Sequence, residues 1–165
     1  MKIADMKVTE LINAVGSDAP APGGGAVAGL AGGIGVALIM MVNGLTLSKK
    51  GFEDDRERIL DAIAKGNELK TRLLDVMDRD TDAFNVVSAA FGMPMDTDEQ
   101  KAERSAAIQN GLKGCTKTPM EMMELIDETL TLAHSLLGRF NDTSASDLGV
   151  AFLSLKAGIQ GAWLN

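Results

Sequence analysis

Three aspartates stand where a carboxylate has a chemical use. Asp80 lies in an otherwise apolar helical stripe, Asp147 in the first turn of the last predicted helix, and Asp18 in a proline-rich segment. A carboxylate in an apolar seam is costly unless it is paired, protonated or in contact with a ligand, so Asp80 is the preferred acid–base group. The alternative for Asp80 is a purely structural carboxylate that is buried and paired with a lysine, a backbone N–H or water. The alternative for Asp147 is that it only complements the helix dipole.

A run of three glycines, Gly23 to Gly25, follows Pro20-Ala21-Pro22 and opens an apolar segment. Glycines at a helix N-terminus leave backbone N–H groups free, and the helix dipole favours an anion there. The segment lacks the Lys-Ser/Thr pair of a Walker loop, so it does not predict binding of a nucleoside triphosphate. The alternative is that these glycines only permit a sharp turn and close packing.

Few other side chains carry a chemical signal. Lys49 and Lys50 follow the apolar segment, where cations ordinarily complement a helix C-terminus but could also meet an acidic substrate tail. The single histidine, His134, and the single cysteine, Cys115, have no partner at a spacing typical of a metal site or a nucleophilic pair. We therefore expect no metal site.

Composition excludes several classes of protein. The chain has 165 residues, of which 45% are hydrophobic and 24% charged, and this balance predicts one domain with its own core. The net charge of −7 argues against a nucleic-acid partner, which needs clustered lysine and arginine. One cysteine and the absence of an apolar signal region after Met1 predict a cytoplasmic protein.

No ionisable residue occurs from Ala19 to Ser48, so this segment is either the central helix of a bundle or a membrane span. Gly25, Gly29 and Gly33 lie four apart on one helical face, a pattern that lets another backbone approach closely. A lone membrane span does not need so many glycines, and the amphipathic helices elsewhere need a shared partner. We therefore expect a helical bundle and no membrane.

The remaining chain has helical periodicity and no sustained two-residue alternation, so the predicted fold class is all-α. Gly114 is expected to end one helix, and Thr118-Pro119 to begin the next as cap and first residue. In total we expect six helices, at about 8–15, 24–47, 53–91, 97–113, 118–137 and 144–163.

Four segments, taken together and in order, resemble the cyclodeaminase/cyclohydrolase family. This is the C-terminal domain of formiminotransferase-cyclodeaminase and its stand-alone bacterial relatives of the methenyltetrahydrofolate cyclohydrolase type. The resemblance covers the whole chain, 1–165, as a single helical domain, and no one motif suffices. The segments are Ser-Asp-Ala-Pro-Ala-Pro-Gly-Gly-Gly at 17–25, Leu-Thr-Leu-Ser-Lys-Lys-Gly-Phe at 45–52, Asp-Thr-Asp-Ala-Phe at 80–84 and Ser-Asp-Leu-Gly-Val-Ala at 146–151.

The resemblance implies a dimer that binds folate in a cleft at or near the subunit interface. One family activity opens the ring of 5,10-methenyltetrahydrofolate with water to give 10-formyltetrahydrofolate. The other closes a formimino group to the methenyl ring and releases ammonia. Because a stand-alone chain has no formiminotransferase domain to supply it, the first activity is favoured. No cofactor is implied beyond the tetrahydrofolate substrate.

The chemistry that the resemblance implies suits positions already singled out. Asp80, Asp147 and Asp18 would line one site as the catalytic carboxylates, stabilising the amidinium-like methenyl cation and activating water. The glycines spaced four apart would form the centre of the dimer. The glycine run and the two lysines would hold the benzoyl-glutamate end or the pterin carbonyl. The complete expected substrate-binding set is Pro22, Gly23, Gly24, Gly25, Lys49, Lys50 and Ser146.

Three features depart from the family pattern. Ala26 stands where the family usually has serine, and the loop 140–144 reads Phe-Asn-Asp-Thr-Ser where Gly-Asn-Pro-Asn is usual. The chain also stops at Asn165, where relatives continue through one more helix, so we expect exposed apolar surface near this end. Ala26 and the short C-terminus favour an alternative function, a non-catalytic helical domain that binds folate or a partner protein.

Overall fold

The computed structural model describes residues 2–165, and within them it contains five α-helices and no strand, which confirms the predicted all-α class. The helices are α1 (Val8–Val15), α2 (Gly24–Leu47), α3 (Arg56–Phe91), α4 (Asp98–His134) and α5 (Ala145–Leu164). Three short 3₁₀ turns lie between or before them, at Ile3–Asp5, Glu53–Asp55 and Asp142–Ser144.

Helix α2 is the centre of the bundle, as its uniform apolarity predicts. It packs against α3, α4 and α5, and Val36, Ile39 and Val42 are fully buried. It is also long and apolar enough to cross a membrane, with a mean hydropathy of 2.1, and 56% of that apolar window is buried inside the fold. A core helix of a bundle passes the same length test. The absence of a membrane partner therefore stays a prediction.

The glycines of α2 permit close approach of another helix, but that helix belongs to the same chain and not to a second subunit. A β-carbon at Gly29 would lie 3.1 Å from the β-carbon of Met77 on α3. One at Gly25 would lie 2.7 Å from Cγ of Asp80, also on α3. The expectation that the four-spaced glycines form the centre of a dimer is therefore wrong, because helices of the same chain occupy that face.

Helix α4 is continuous where two helices were expected. Gly114 and Pro119 both lie inside it. An interior proline costs about 3 kcal/mol because it removes one N–H and crowds the carbonyl four residues earlier. Tertiary burial outweighs that cost: Met122 and Leu125 are fully buried, and each such side chain contributes about 1.5–3 kcal/mol. Local start and stop signals were therefore overridden by packing against α3 and α5.

Other helix boundaries agree with the sequence. Gly16 and Gly92 are the C-caps of α1 and α3. The Thr97 hydroxyl accepts a hydrogen bond from the Gln100 N–H at 3.2 Å, and the Gln100 side chain accepts one from the Thr97 N–H at 3.1 Å. This reciprocal pair is the predicted capping box that opens α4. Gly138, with φ of +74°, lies in the turn after α4.

The two chain ends lie on the same part of the bundle. Asp78 is buried on α3 and accepts hydrogen bonds from the N–H groups of Ile3 and Ala4, at 2.7 and 3.3 Å. At the other terminus, Trp163 is 74% exposed and Leu164 85% exposed, so apolar surface is present near Asn165 as expected.

Candidate functional site

The structure brings Asp80 of α3 against the first turn of α2. The contact is possible because residue 25 is glycine: a β-carbon there would lie 2.7 Å from Cγ of Asp80. The two groups are 55 positions apart in the sequence and meet only because α2 and α3 pack side by side. Around them lies a cleft of about 140 Å³, lined by Pro20, Ala21, Gly23, Gly24, Gly25, Asp80, Thr81, Phe84 and Asn165.

Among residues 2–165, one side chain hydrogen-bonds to Asp80. The Thr118 hydroxyl on α4 donates a hydrogen bond to Asp80 Oδ1 at 2.8 Å. No lysine or arginine among residues 2–165 forms an ion pair with it. Burial raises the pKa of the Asp80 carboxyl, and the hydrogen bond from Thr118 lowers that pKa by a smaller amount. A carboxyl in this state can both accept and return a proton, as acid–base catalysis requires.

The first turn of α2 has no side-chain cap. Gly23 occupies the N-cap position, and no side chain accepts a hydrogen bond there. The free N–H groups and the helix dipole therefore favour negative charge next to Asp80. Ala26 is 2% exposed and packs with Ile3 and Met77. Its methyl group belongs to the apolar cluster, so the residue that replaces the family's usual serine supports packing here.

Two residues predicted for this site lie beside the cleft. Pro22 is half-buried between the lining residues Ala21 and Gly23, and the Ala21–Pro22 peptide bond is cis. Asp18 is exposed in the preceding loop and is not among the residues that line the cleft. Among residues 2–165, the Asp18 carboxylate forms no hydrogen bond or ion pair with the cleft.

The remaining predicted residues gather at the opposite end of the bundle. Lys49 Nζ donates a hydrogen bond to Asn141 Oδ1 at 2.9 Å, and the Asn141 N–H donates to Thr46 Oγ1 at 2.9 Å. These contacts join the end of α2 to the turn before α5. Lys50 and Ser146 are exposed here, and Asp147 is half-buried.

The two groups of residues are far apart within one chain. Helices α2 and α5 are antiparallel: Gly24 meets Asn165, and Gly35 meets Ala151 and Leu155. At 1.5 Å per residue, the ten residues from Gly25 to Gly35 and the four from Ala151 back to Asp147 span about 20 Å. Within one chain Asp80 and Asp147 therefore do not share a site, because antiparallel packing places the start of α5 beside the end of α2. A site lined by Asp18, Asp80 and Asp147 at a subunit interface stays a prediction.

Sequence reasoning missed several residues in or next to the cleft. Thr118 was interpreted as a helix cap, and its hydroxyl instead reaches α3. Thr81 follows Asp80 directly, and its buried Oγ1 has no hydrogen-bond partner among residues 2–165. Asn165 contributes its side-chain amide from the end of α5. Spacing along the chain gave a signal only for Thr81, because the other two depend on how distant helices pack.

Cys115 lies near Asp80 without the properties of a nucleophile. Burial raises the pKa of its thiol, and the negative charge of Asp80 raises it further. The thiol is therefore held protonated, whereas a nucleophilic cysteine requires the thiolate.

A larger groove lies elsewhere, on the outer surface of α3 and α4. It has a volume of about 620 Å³ and includes Arg72, Lys113 and Met120 in its lining. It contains none of the predicted site residues, and its Arg72 pairs with Glu68 at 3.4 Å. Volume alone does not make it the site, because the half-buried acid and the uncapped helix start lie in the smaller cleft.

Comparison with known proteins gives one consistent result. A family model described as formiminotransferase-cyclodeaminase matches residues 7–165. A methenyltetrahydrofolate cyclohydrolase from Methylorubrum extorquens is 36% identical over 158 residues, which are 96% of this chain and 76% of that protein. A formimidoyltransferase-cyclodeaminase from Sus scrofa is 32% identical over 154 residues, which are 93% of this chain and 28% of that longer protein.

Among solved structures, the fold is similar to that of formiminotetrahydrofolate cyclodeaminase from Thermotoga maritima. The TM-score is 0.85 at 26% sequence identity, and the match covers 98% of this chain and 77% of that one. The similarity therefore extends over the whole helical bundle, including both ends of α2.

Proposed function

Because the chain belongs to the formiminotransferase-cyclodeaminase family, we propose that it hydrolyses 5,10-methenyltetrahydrofolate to 10-formyltetrahydrofolate. Family membership makes it an enzyme of folate one-carbon chemistry. The observation that carries the reaction is Asp80, a half-buried carboxylate with no ion pair among residues 2–165, facing a cleft at the start of α2. The similarity to a bacterial cyclohydrolase over 96% of the chain supports ring opening by water as the reaction.

The proposed mechanism uses Asp80 twice. The ionised carboxylate stabilises the cationic methenyl bridge and takes a proton from water as the hydroxyl adds to the methenyl carbon. As the C–N5 bond of the adduct then breaks, Asp80 gives its proton to N5 and the adduct's hydroxyl proton is released to solvent, so that the formyl group remains on N10 and one proton is released overall. Because burial raises the pKa of Asp80, the same carboxyl can return the proton that it accepted.

A second candidate function is formiminotetrahydrofolate cyclodeaminase. The similarity in fold to the Thermotoga maritima cyclodeaminase favours it. In that reaction N10 attacks the formimino carbon, the C–N bond to the leaving nitrogen breaks, and Asp80 in its protonated form would supply a proton to the departing ammonia. Both reactions pass through an amidinium-like centre beside a carboxylate, so they use the same cleft.

We further propose that the working enzyme is a homodimer formed through α2. One face of this helix stays exposed after the bundle is built, and its apolar residues recur at seven-, seven- and four-residue intervals. They are Val27, Ile34, Met41 and Leu45, which are 42%, 46%, 42% and 45% exposed. Such a stripe is typical of a seam between two helices, and no charge interrupts it. A second copy offers the same stripe, as a two-fold symmetric interface requires.

An antiparallel crossing of two α2 helices would complete the site. Helix α2 has 24 residues and is about 36 Å long, with Gly24 and Leu47 at its opposite ends. In such a dimer, Lys49, Lys50, Ser146 and Asp147 of one copy would approach the Asp80 cleft of the other. The lysines would then bind the glutamate carboxylates of the substrate, and Asp147 would supply a second negative charge beside the methenyl cation.

Subunit complementation tests this composite site. Asp80→Asn and Asp147→Asn are each expected to be inactive, and a refolded equal mixture should recover about a quarter of wild-type activity, since half of the dimers are mixed and each mixed dimer has one intact site. A mixture that stays inactive would mean that both carboxylates act within one chain. An Asp147→Asn variant with full activity would remove Asp147 from the mechanism.

The reaction itself is tested with both folate substrates. Loss of methenyltetrahydrofolate absorbance, with 10-formyltetrahydrofolate as product, is the expected result. Ammonia release from formiminotetrahydrofolate at a higher kcat/KM would favour the cyclodeaminase instead. Binding of folate by calorimetry without turnover of either substrate would favour a non-catalytic domain.

We also propose that the enzyme is cytoplasmic and uses no cofactor beyond the folate substrate. The single cysteine supports a reducing compartment. The reaction needs a proton acceptor and stabilisation of a cation, and carboxylates provide both. Full activity after exhaustive dialysis against EDTA is the expected result, and restoration by an added metal ion would contradict it.

A further inference from the structure

The threonines that lie inside helices differ in what their hydroxyl groups bind. Four of them donate to the carbonyl four residues earlier in their own helix, at 2.7 to 3.0 Å: Thr46, Thr71, Thr116 and Thr129. This is the usual behaviour of a helical threonine. Thr118 departs from it, because its hydroxyl donates across the bundle to Asp80, 38 residues away in sequence.

The contact between Thr118 and Asp80 is enclosed. Thr118 is 6% exposed and lies between Lys117 and Pro119 in the interior of α4. Its hydroxyl holds Oδ1 of Asp80, and Oδ2 is the carboxylate oxygen nearest to Gly25 at the start of α2. The two oxygens of Asp80 therefore have different surroundings, one tied to α4 and one turned towards the glycine-lined cleft.

We propose that Thr118 is a positioning residue for Asp80, which it orients by holding Oδ1 so that Oδ2 is the oxygen that exchanges the proton. This inference rests on the proposed function for its catalytic consequence, but the contact itself can be tested without a substrate. A hydrogen bond to the ionised carboxylate stabilises that form and fixes its rotation.

Few other charged groups act on Asp80. From α2 none does, since residues 19–48 contain no ionisable side chain. From α4 the thiol of Cys115 faces it, and Glu121, one turn beyond Thr118, is paired with Arg79 at 2.8 Å.

The other acids of α3 do not face Asp80 as free charges. Asp78 accepts hydrogen bonds from the N–H groups of Ile3 and Ala4, and Asp82 is exposed. Asn165 of α5 contributes a neutral amide to the cleft. Among residues 2–165, Thr118 is thus the side chain that hydrogen-bonds to this carboxyl.

The test is a carboxyl ¹³C NMR titration of the substrate-free protein, with the Asp80 resonance assigned by its loss in Asp80→Asn. Thr118→Val replaces the hydroxyl with a methyl group, and the Asp80 pKa is expected to rise above that of the wild type. Thr118→Ser keeps the hydroxyl and should restore the wild-type titration. Thr129→Val is the matched control, because Thr129 is a fully buried threonine of the same helix that bonds only to Leu125.

Activity provides the second readout. In Thr118→Val, kcat/KM should fall about tenfold on the acid side of the pH profile, the loss expected for one hydrogen bond to a charged group, and the acid limb should move to higher pH. Thr118→Ser should return the limb to its wild-type position. If Thr118→Val fails to fold by circular dichroism, Thr118→Ala is measured in its place.

An unchanged Asp80 titration in Thr118→Val, or the same shift in Thr129→Val, would overturn the proposal. A wild-type protein inactive on both folate substrates would instead overturn the proposed function. The NMR titration would still decide whether Thr118 holds Asp80.

Discussion

The two ends of α2 provide opposite environments for charge. At the glycine end, defined by Gly23–Gly25 and Asp80, a single carboxylate lies half-buried against a helix start with one hydroxyl partner. At the lysine end, defined by Lys49, Lys50, Ser146 and Asp147, both lysines are exposed, and Lys49 donates a hydrogen bond to the neutral side chain of Asn141. The first environment shifts a pKa, and the second leaves charges free to meet an ionic ligand.

This difference separates proton transfer from substrate binding. A general acid–base group needs a pKa moved towards the working pH, which burial provides. An anion-binding group needs accessible charge, and burial would remove it. A chain of this size can satisfy both needs at opposite ends of one helix, and a second copy can then bring the two ends together. The following four variants test that division, in order of the size of the expected effect.

The largest effect is expected from Asp80→Asn. Loss of the acid–base group should lower kcat/KM by about 10³-fold, within the range for general acid–base catalysis. Asp82→Asn is the matched control, because Asp82 is exposed on the same helix two residues later. Full activity of Asp80→Asn in the absorbance assay would remove the glycine end from the chemistry.

Gly25→Ala should lower activity at the glycine end by moving the Asp80 side chain, without removing its carboxylate. The added β-carbon would lie 2.7 Å from Cγ of Asp80, so the carboxylate must move, and a displacement of about 1 Å can cost about 10²-fold in rate. Gly44→Ala is the control: it lies in the same helix with no atom within 4 Å of the new methyl group. The control should keep its activity and gain about 1 kcal/mol of stability from helix propensity. Equal activity losses in both variants would point to a general disturbance of α2.

At the lysine end, Lys49→Met combined with Lys50→Met should weaken substrate binding. We expect KM to rise about tenfold with kcat unchanged, because lost binding of the glutamate carboxylates affects ground state and transition state alike. The wild-type KM should rise with salt, and that dependence should be weaker in the double variant. Lys101→Met, which breaks a surface ion pair with Asp98, is the control. A lower kcat at constant KM would instead place the lysines in the chemical step.

The smallest effect concerns stability. Burial raises the pKa of Asp80, so the native state binds this proton more tightly than the unfolded chain does. The resulting destabilisation is absent below the unfolded pKa of about 3.9 and grows as the pH rises through the folded value. Asp80→Asn removes it and should raise Tm at pH 7 and leave Tm unchanged at pH 3. Calorimetry at both pH values checks this, and a lower Tm at pH 7 would show that the carboxylate stabilises the fold.

Several features of the fold and site were predictable because their causes are local. The glycine run, the absence of charge to Ser48 and the capping box at Thr97 are properties of neighbouring residues, and all three predict helix boundaries correctly. Asp80 was detectable because it breaks an apolar repeat on its own helix. The break predicted near Gly114 and Thr118-Pro119 failed because burial against α3 and α5 outweighs a local cost of a few kcal/mol.

The sequence by itself determined the all-α class, the central apolar helix and Asp80 as the residue with chemical potential, since periodicity and charge act over a few turns. Tertiary structure alone decided that Gly25 and Thr118 lie against Asp80, and that Asp147 lies about 20 Å and the lysines about 36 Å away along the bundle. These relations join residues 38 or more positions apart, and they follow from the antiparallel packing of whole helices. Local pattern sets which faces are apolar, but only the packed helices decide which faces meet.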